Sequence, residues 1–294
     1  MPPLSSRLDG RRRPATVSGA MIEIPPFPGG RRLAVTFSFD DGSVADRRVV
    51  AAFNEWGLKG TFNLNAARLS RVAPADDDPA NVVAAGEVAE LYRGHEVACH
   101  GATHADFARL APAQLFAEVQ DDRRTLEQLV GYPVRGLAYP YGSYNPRVIE
   151  LLRPLGFAYA RTVRNAEPCF PVAEPLAWHP TVAQYAAAPL TVPERFANIH
   201  GSRYSGVFFV WGHCAEFAQR DDWAGLARLF RPLAGRPDVW YCTNIELFDY
   251  EAARRRLVVA ADAGSIYNPS ALPVTVSAHG TLRDVPPGIT QIKS

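Results

Sequence analysis

With 294 residues, 47% of them hydrophobic, the chain is long enough to bury a full core, either as one large α/β domain or as two small ones. A formal charge of +1 gives no reason to expect nucleic acid or an anionic membrane as partner. No run of about 18 apolar residues occurs, so no membrane-spanning helix is expected.

Residues 1–29 are rich in Pro, Gly, Ser and Arg, lack periodicity, and are expected to form a loosely ordered arm. No apolar segment follows their arginines, so neither a general secretory nor a twin-arginine leader is expected, and the chain reads as cytoplasmic. Residues 33–43 are the first strong signal. Val35, Thr36, Phe37 and Phe39 favour a covered strand, which ends in the adjacent carboxylates of Asp40 and Asp41 and the turn residue Gly42. Taken alone, Asp-Asp-Gly is equally well a turn with a helix cap.

An amphipathic helix is expected over 44–56, ending at Gly57, and a second strand over 60–64. The acidic run Asp76-Asp77-Asp78-Pro79 reads as a solvated loop, followed by a helix over 82–93 and a third strand, 96–99, that runs into His100. Residues 112–130 form a helix opened by Pro112 and stopped by Gly131, followed by a short strand at 136–139. A helix from Asn145-Pro146, a strand at 156–161 ending in Arg161, and an irregular Pro-rich stretch over 164–190 come next. A helix over 192–199 precedes the most apolar strand, 206–211, which leads to His213; helix 223–233, strand 239–242 and helix 245–259 complete about seven β-α units. That count predicts an α/β fold, a distorted (β/α)7 barrel over 30–260, with a short β-rich extension over 261–294 packed on it. The four cysteines (Cys99, Cys169, Cys214, Cys242) lack C-x-x-C spacing and read mostly as buried small hydrophobes.

In a parallel barrel the residues after each strand share one mouth, so Asp40, Asp41, His100, Arg161 and His213 converge although they are far apart in sequence. His100 and His104 are four apart, which in a helical turn places both rings on one side, although such a pair is also a common accident. With Asp41 they make a three-ligand set for a divalent metal that leaves positions open to water and substrate. Asp40 is then free to act as general base. Arg161 is the candidate cation to keep Asp40 ionised and oriented, the alternative being a surface arginine paired with a helix carboxylate. Adjacent residues on a strand point to opposite sides, so Asp40 and Asp41 are expected to serve the site differently.

The set Phe39-Asp40-Asp41-Gly42, His100-x-x-x-His104, Tyr139-Pro140-Tyr141-Gly142 and the late strand ending in His213 resembles the ordered motifs of the polysaccharide deacetylase family, also called the NodB-homology or carbohydrate esterase 4 family. The resemblance spans roughly residues 33–250. It implies a distorted (β/α)7 barrel and a divalent metal, commonly zinc, held by Asp41, His100 and His104. It further implies Asp40 as base, His213 as general acid, the backbone N–H of Tyr141 as oxyanion donor, and removal of an N- or O-acetyl group from a sugar as the reaction. Tyr139, Trp211, Trp178 and His179 are the candidate substrate-binding residues. Two departures stand out: Ala138 occupies the place of the family's third-motif arginine, and the fourth-motif aspartate has no counterpart, Trp178-His179 lying in that region. An acetylated carbohydrate is the expected partner. A same-fold hydrolase of a cyclic ureide or other non-sugar amide, and a non-catalytic carbohydrate-binding homologue, are the alternatives.

Overall fold

The computed structural model describes residues 22–74, 78–186 and 190–292; most of the expected arm (1–21), Asp76 and Asp77 of the acidic run, and residues 187–189 and 293–294 lie outside it. A short strand, β1 (Ile22–Glu23), precedes β2 (Leu33–Asp40), and strands and helices then alternate. They run α1 (Asp46–Trp56), β3 (Thr61–Leu64), α2 (Val88–Leu91), β4 (Glu96–Cys99), α3 (Pro112–Val130), β5 (Gly136–Ala138), α4 (Pro146–Leu152) and β6 (Tyr159–Arg161). Next come β7 (Val182–Ala183), α5 (Val192–Gly201), β8 (Gly206–Gly212), α6 (Ala215–Gln219), α7 (Trp223–Phe230), β9 (Val239–Tyr241) and α8 (Asn244–Arg255). Five strands follow: β10 (Val258–Val259), β11 (Ser265–Asn268), β12 (Val274–Ala278), β13 (Thr281–Val285) and β14 (Gly288–Gln291).

The main sheet is parallel in the order β6-β5-β4-β3-β2-β8-β7, with β9 beside the first half of β2. Its two edges meet through residues 178–184: Trp178 bridges Arg161 of β6, while Thr181 and Gln184 donate backbone hydrogen bonds to Phe209 and Trp211 of β8. The curled, seven-strand path is the distorted (β/α)7 barrel expected from the sequence. One detail differs: the stretch read as irregular supplies β7, because its backbone groups are buried against β6 and β8 and must pair there. The helix expected over 82–93 is also shorter, since Val82 bridges Ser43 and the Val83 N–H donates to Gly42, which keeps that part extended.

Period-2 alternation separates two layers. Val35, Phe37 and Phe39 of β2 face the helices, where Phe37 packs edge-on against Phe53 and Phe230 with ring centroids 4.8 and 5.1 Å away. Ala34 of β2, Tyr159 of β6, and Val207 and Phe209 of β8 belong to the other layer, the barrel interior. By the same parity Ser38 and Asp40, Asn63, His100, Arg161 and Trp211 also point inward. Strand alternation thus delivers most of the polar mouth.

The interior is tied by Glu96, a buried carboxyl that accepts hydrogen bonds from Thr61 Oγ1 (2.8 Å), the Ile245 N–H (2.8 Å) and Tyr159 Oη (2.8 Å). Gly136 leaves room for this, since a Cβ there would sit 2.2 Å from the Tyr159 hydroxyl. The extension packs on α8 through Val274, which meets Tyr250 and Ala253, and the Thr275 N–H donates to Tyr250 Oη. The arm boundary needs correction. Ile22 pairs with Ala278, and Phe27 is buried with its ring 5.8 Å from that of Trp240, so residues 22–29 pack against the barrel and the extension. Cys99, Cys214 and Cys242 are buried, and Cys169 is exposed.

Burial outweighs the hydrogen bonds on Glu96 and pushes its carboxyl up to about 7. That lies above the unfolded value of about 4.3, so the folded chain holds this proton more tightly, and the stabilisation is complete below about pH 4 and lost as pH rises through about 7. The fall in urea midpoint between pH 5 and pH 8 should therefore be smaller in Glu96→Gln than in the native chain. Glu96→Ala strands three donors and should cost about 3 kcal/mol in urea unfolding. Deleting residues 264–294 uncovers Tyr250 and Ala253, and should lower the melting temperature or the yield of soluble protein.

Candidate active site

The C-terminal ends of the parallel strands form a cleft of about 470 Å³ lined by Asp40, Asp41, His100, His104, Tyr139, Tyr141, Val163, Trp211 and His213. Asp40 ends β2, in register with Asn63, and is 3% exposed. Arg161, fully buried, places Nη2 2.6 and 2.5 Å from the two Asp40 oxygens, and Asn63 Nδ2 donates to Asp40 Oδ1 at 2.8 Å. Burial opposes ionisation of Asp40, but Arg161 with His100 and His213 outweighs it and holds the carboxyl below its ordinary range. The register pairs Ala138 with Arg161, so the guanidinium comes from the strand beside the position where the family motif has its arginine. Trp211 closes over it, with the guanidinium carbon 4.9 Å from the ring centroid.

Asp41 does not continue the strand. Its φ of 77° is left-handed, and this turn brings its carboxylate back to the mouth rather than to the opposite side as strand alternation predicts. Asp41 Oδ1 lies 3.6 Å from His104 Nε2 and 3.9 Å from His100 Nε2, and the three ligand atoms lie within 4.8 Å of one another. His104 and Tyr141 also have positive φ (65° and 58°), so three non-glycine residues in left-handed conformations gather at one cleft. Such conformations are held only where surrounding contacts enforce them.

The enforcing contacts are visible for the histidine loop. His100 Nδ1 is bonded to the Ala138 carbonyl at 2.8 Å, leaving Nε2 toward Asp41. Asn65 Nδ2 donates to the carbonyls of His100 and Gly101, Asp122 of α3 accepts from the His100 N–H at 2.9 Å, and Glu118 accepts from the N–H and hydroxyl of Thr103. The two histidines therefore sit on a clamped loop, not on a helix. Burial pushes both imidazoles below the ordinary histidine range, toward the neutral form that binds metals. Asp41 Oδ1 is buried with no hydrogen-bond partner, which suits an oxygen that faces a cation. The donor set, two imidazole nitrogens and a carboxylate oxygen, fits a divalent metal such as zinc.

His213 follows β8. Its Nε2 faces Asp40 and Asp41 at 3.9 and 4.0 Å, and its Nδ1 lies 3.0 Å from Glu216 Oε1. Burial disfavours the charged ring, but Glu216, Asp40 and Asp41 outweigh it and raise the group above its ordinary value. Tyr141, 69% exposed, stands at the rim with its ring 4.5 Å from that of His104.

Of the expected substrate-binding residues, Trp211 lines the cleft. Tyr139 borders it, but its ring lies in the helix-facing layer and its hydroxyl is committed to the Leu176 carbonyl at 2.6 Å. Trp178 is a correction: it is 2% exposed and packs in the barrel interior on Phe209, Phe248 and Tyr159, because its backbone occupies the seam beside β6. His179 lies outside the cleft lining, bonded to the Thr162 hydroxyl at 2.6 Å. Sequence reading missed Asn63, legible as one amide in an apolar strand, and Glu216, legible as His-x-x-Glu at the start of a helix.

A (β/α)7 barrel carrying Asp, His, His and a second, arginine-held Asp at the strand ends is the class that this geometry defines. Residues 29–160 match the family model described as polysaccharide deacetylase, so the resemblance carried by the first three motifs is borne out over that segment, which ends one residue before Arg161. No curated protein matches the chain. Among solved structures, a Mycobacterium smegmatis protein whose name places it with the polysaccharide deacetylases is 18% identical, covering 79% of this chain and 94% of that one, with a TM-score of 0.58. Puue allantoinase is 16% identical, with 76% and 92% covered and a TM-score of 0.53. The Streptococcus pyogenes deacetylase PplD is 19% identical over 44% of this chain, which spans 55% of that protein's length, with a TM-score of 0.39. Among the described residues no helix is long and apolar enough to cross a membrane.

Breaking the buried pair leaves a carboxylate without its counter-charge, so Arg161→Met should cost about 3–5 kcal/mol in urea unfolding. Asp40→Asn in that background should recover part of the loss, which a double-mutant cycle reads directly.

Proposed function

We propose that the protein is a metal-dependent hydrolase that removes an acetyl group from an N- or O-acetylated sugar or glycoside, with zinc as the metal. The observation that carries this is the division of labour at the cleft. Asp41, His100 and His104 converge as a ligand set with Asp41 Oδ1 free of hydrogen bonds, while Asp40, although its Oδ2 is 3.8 Å from His100 Nε2, has both oxygens engaged by Arg161 and one by Asn63 as well.

Asp41 Oδ1, His100 Nε2 and His104 Nε2 would hold the metal, which when bound acidifies water and polarises an acyl oxygen. Asp40, kept ionised by Arg161, takes a proton from the attacking water. Tyr141, whose φ is 58°, supplies the backbone N–H that the family resemblance assigns to the oxyanion of the tetrahedral intermediate. His213, whose raised affinity for the proton suits a donor, gives one from Nε2 to the leaving amine or alkoxide. The C–N or C–O bond breaks, and acetate and the free amine or alcohol result. Trp211 and Tyr141 flank the acyl position as apolar walls.

Acetate release across N-acetylated and O-acetylated mono- and oligosaccharides, with allantoin and hydantoin in the same panel, tests the reading. Release from a sugar supports it, and turnover confined to the ureides overturns it. The two carboxylates should separate in metal analysis. Asp41→Asn is expected to lose metal and activity together, while Asp40→Asn keeps stoichiometric metal and loses about 10² to 10⁴ in rate. Metal retained in both, or lost only from Asp40→Asn, would show that base and ligand are reversed or wrong.

A further inference from the structure

Among the described residues of the region where the family has its fourth-motif aspartate, Trp178 is interior and His179 lies outside the cleft, and none sets a carboxylate against His213. A carboxylate reaches His213 instead from the helix that follows it. Glu216 lies in the first turn of α6, three residues after His213, and its Oε1 is 3.0 Å from His213 Nδ1. We propose that Glu216 is the positioning residue that fixes the tautomer and the aim of His213; its catalytic consequence rests on the reading of His213 as proton donor.

An ionised carboxylate only accepts hydrogen bonds, so the ring nitrogen facing Glu216 must carry a hydrogen, and Nε2 is left as the working nitrogen. That nitrogen faces Asp40 and Asp41 at 3.9 and 4.0 Å, beyond hydrogen-bond reach of either, and so stays available to a bound group in the cleft. The backbone of His213 is pinned as well. Its carbonyl accepts from Gln184 Nε2 at 2.8 Å and from the Glu216 N–H at 3.1 Å. Gly212 makes the first contact possible, since a Cβ there would lie 2.4 Å from the Gln184 side chain. With the main chain held on two sides, the remaining freedom is rotation of the imidazole, and Glu216 removes it.

The competing partner of Glu216 is Arg220, whose Nε lies 3.8 Å from Oε2 and whose side chain is 57% exposed. A surface pair of that kind contributes little. It engages the oxygen that His213 does not use, so the two contacts coexist.

The test uses the zinc-loaded full chain labelled with 15N-histidine. Long-range ring correlations should show neutral His213 as the Nδ1–H tautomer in the native protein and shifted to Nε2–H in Glu216→Ala. In acetate-release assays, Glu216→Ala should lose about 10²-fold in kcat with KM and zinc content unchanged. Glu216→Gln, which still accepts from Nδ1–H, should retain the tautomer and most of the rate. Formate should restore at least part of the Glu216→Ala rate, because a second cleft of about 500 Å³ opens beside Glu216, Gln219 and Arg220. An unchanged tautomer in Glu216→Ala, a kcat within twofold of native, or a loss traceable to zinc or melting temperature would overturn the proposal. Should Glu216→Ala not fold, the isosteric Glu216→Gln decides it against Glu216→Leu by the same tautomer signal. If the native protein hydrolyses no acetylated substrate, the function reading fails, and the tautomer measurement still decides the role of Glu216.

Discussion

The buried pair of Asp40 and Arg161 is the constraint on which the mouth depends. A carboxylate 3% exposed cannot stay ionised without a partner, and a guanidinium with no exposure at all needs one equally. Each solves the other's problem, and Asn63 and Trp211 complete the enclosure. One guanidinium nitrogen, Arg161 Nε, still lacks a hydrogen-bond partner in its enclosure, as does the indole nitrogen of Trp211. Unsatisfied buried donors are a cost to folding.

Around that pair the backbone is bent where the chemistry needs it. Asp41, His104 and Tyr141 each adopt a left-handed conformation unfavourable for their residue type, and each carries a group toward the same space. For the histidine loop the holding contacts are the carboxylates of α3 and the amide of Asn65, behind which stands the phenylalanine layer of β2. Short, clamped loops on a barrel scaffold are what hold such geometry at the mouth.

Much of this was legible in the chain alone. Apolar runs of four to eight residues ending in Asp40, His100, Arg161 and His213 marked the parallel strands, and the rule that residues after parallel strands share one mouth brought those four together. The helix ends at Gly57 and Gly131 were equally local, since only glycine takes the left-handed cap without strain.

Other features required the tertiary structure. That Trp178 is core and not a substrate contact follows from the seam between β6 and β8, which joins segments remote in sequence. The turn that swings Asp41 back to the mouth breaks strand alternation, and nothing local distinguishes Asp41 from an ordinary turn aspartate. The place of Arg161 beside Ala138 depends on strand register, and the hold of Gln184 and Glu216 on His213 depends on how β7 and α6 meet the end of β8. The sequence by itself determined which residues carry chemistry and on which strand ends they sit, because residue type and periodicity are written locally. Which of them touch, and at what distance, was decided by register and barrel closure, which are properties of the whole sheet.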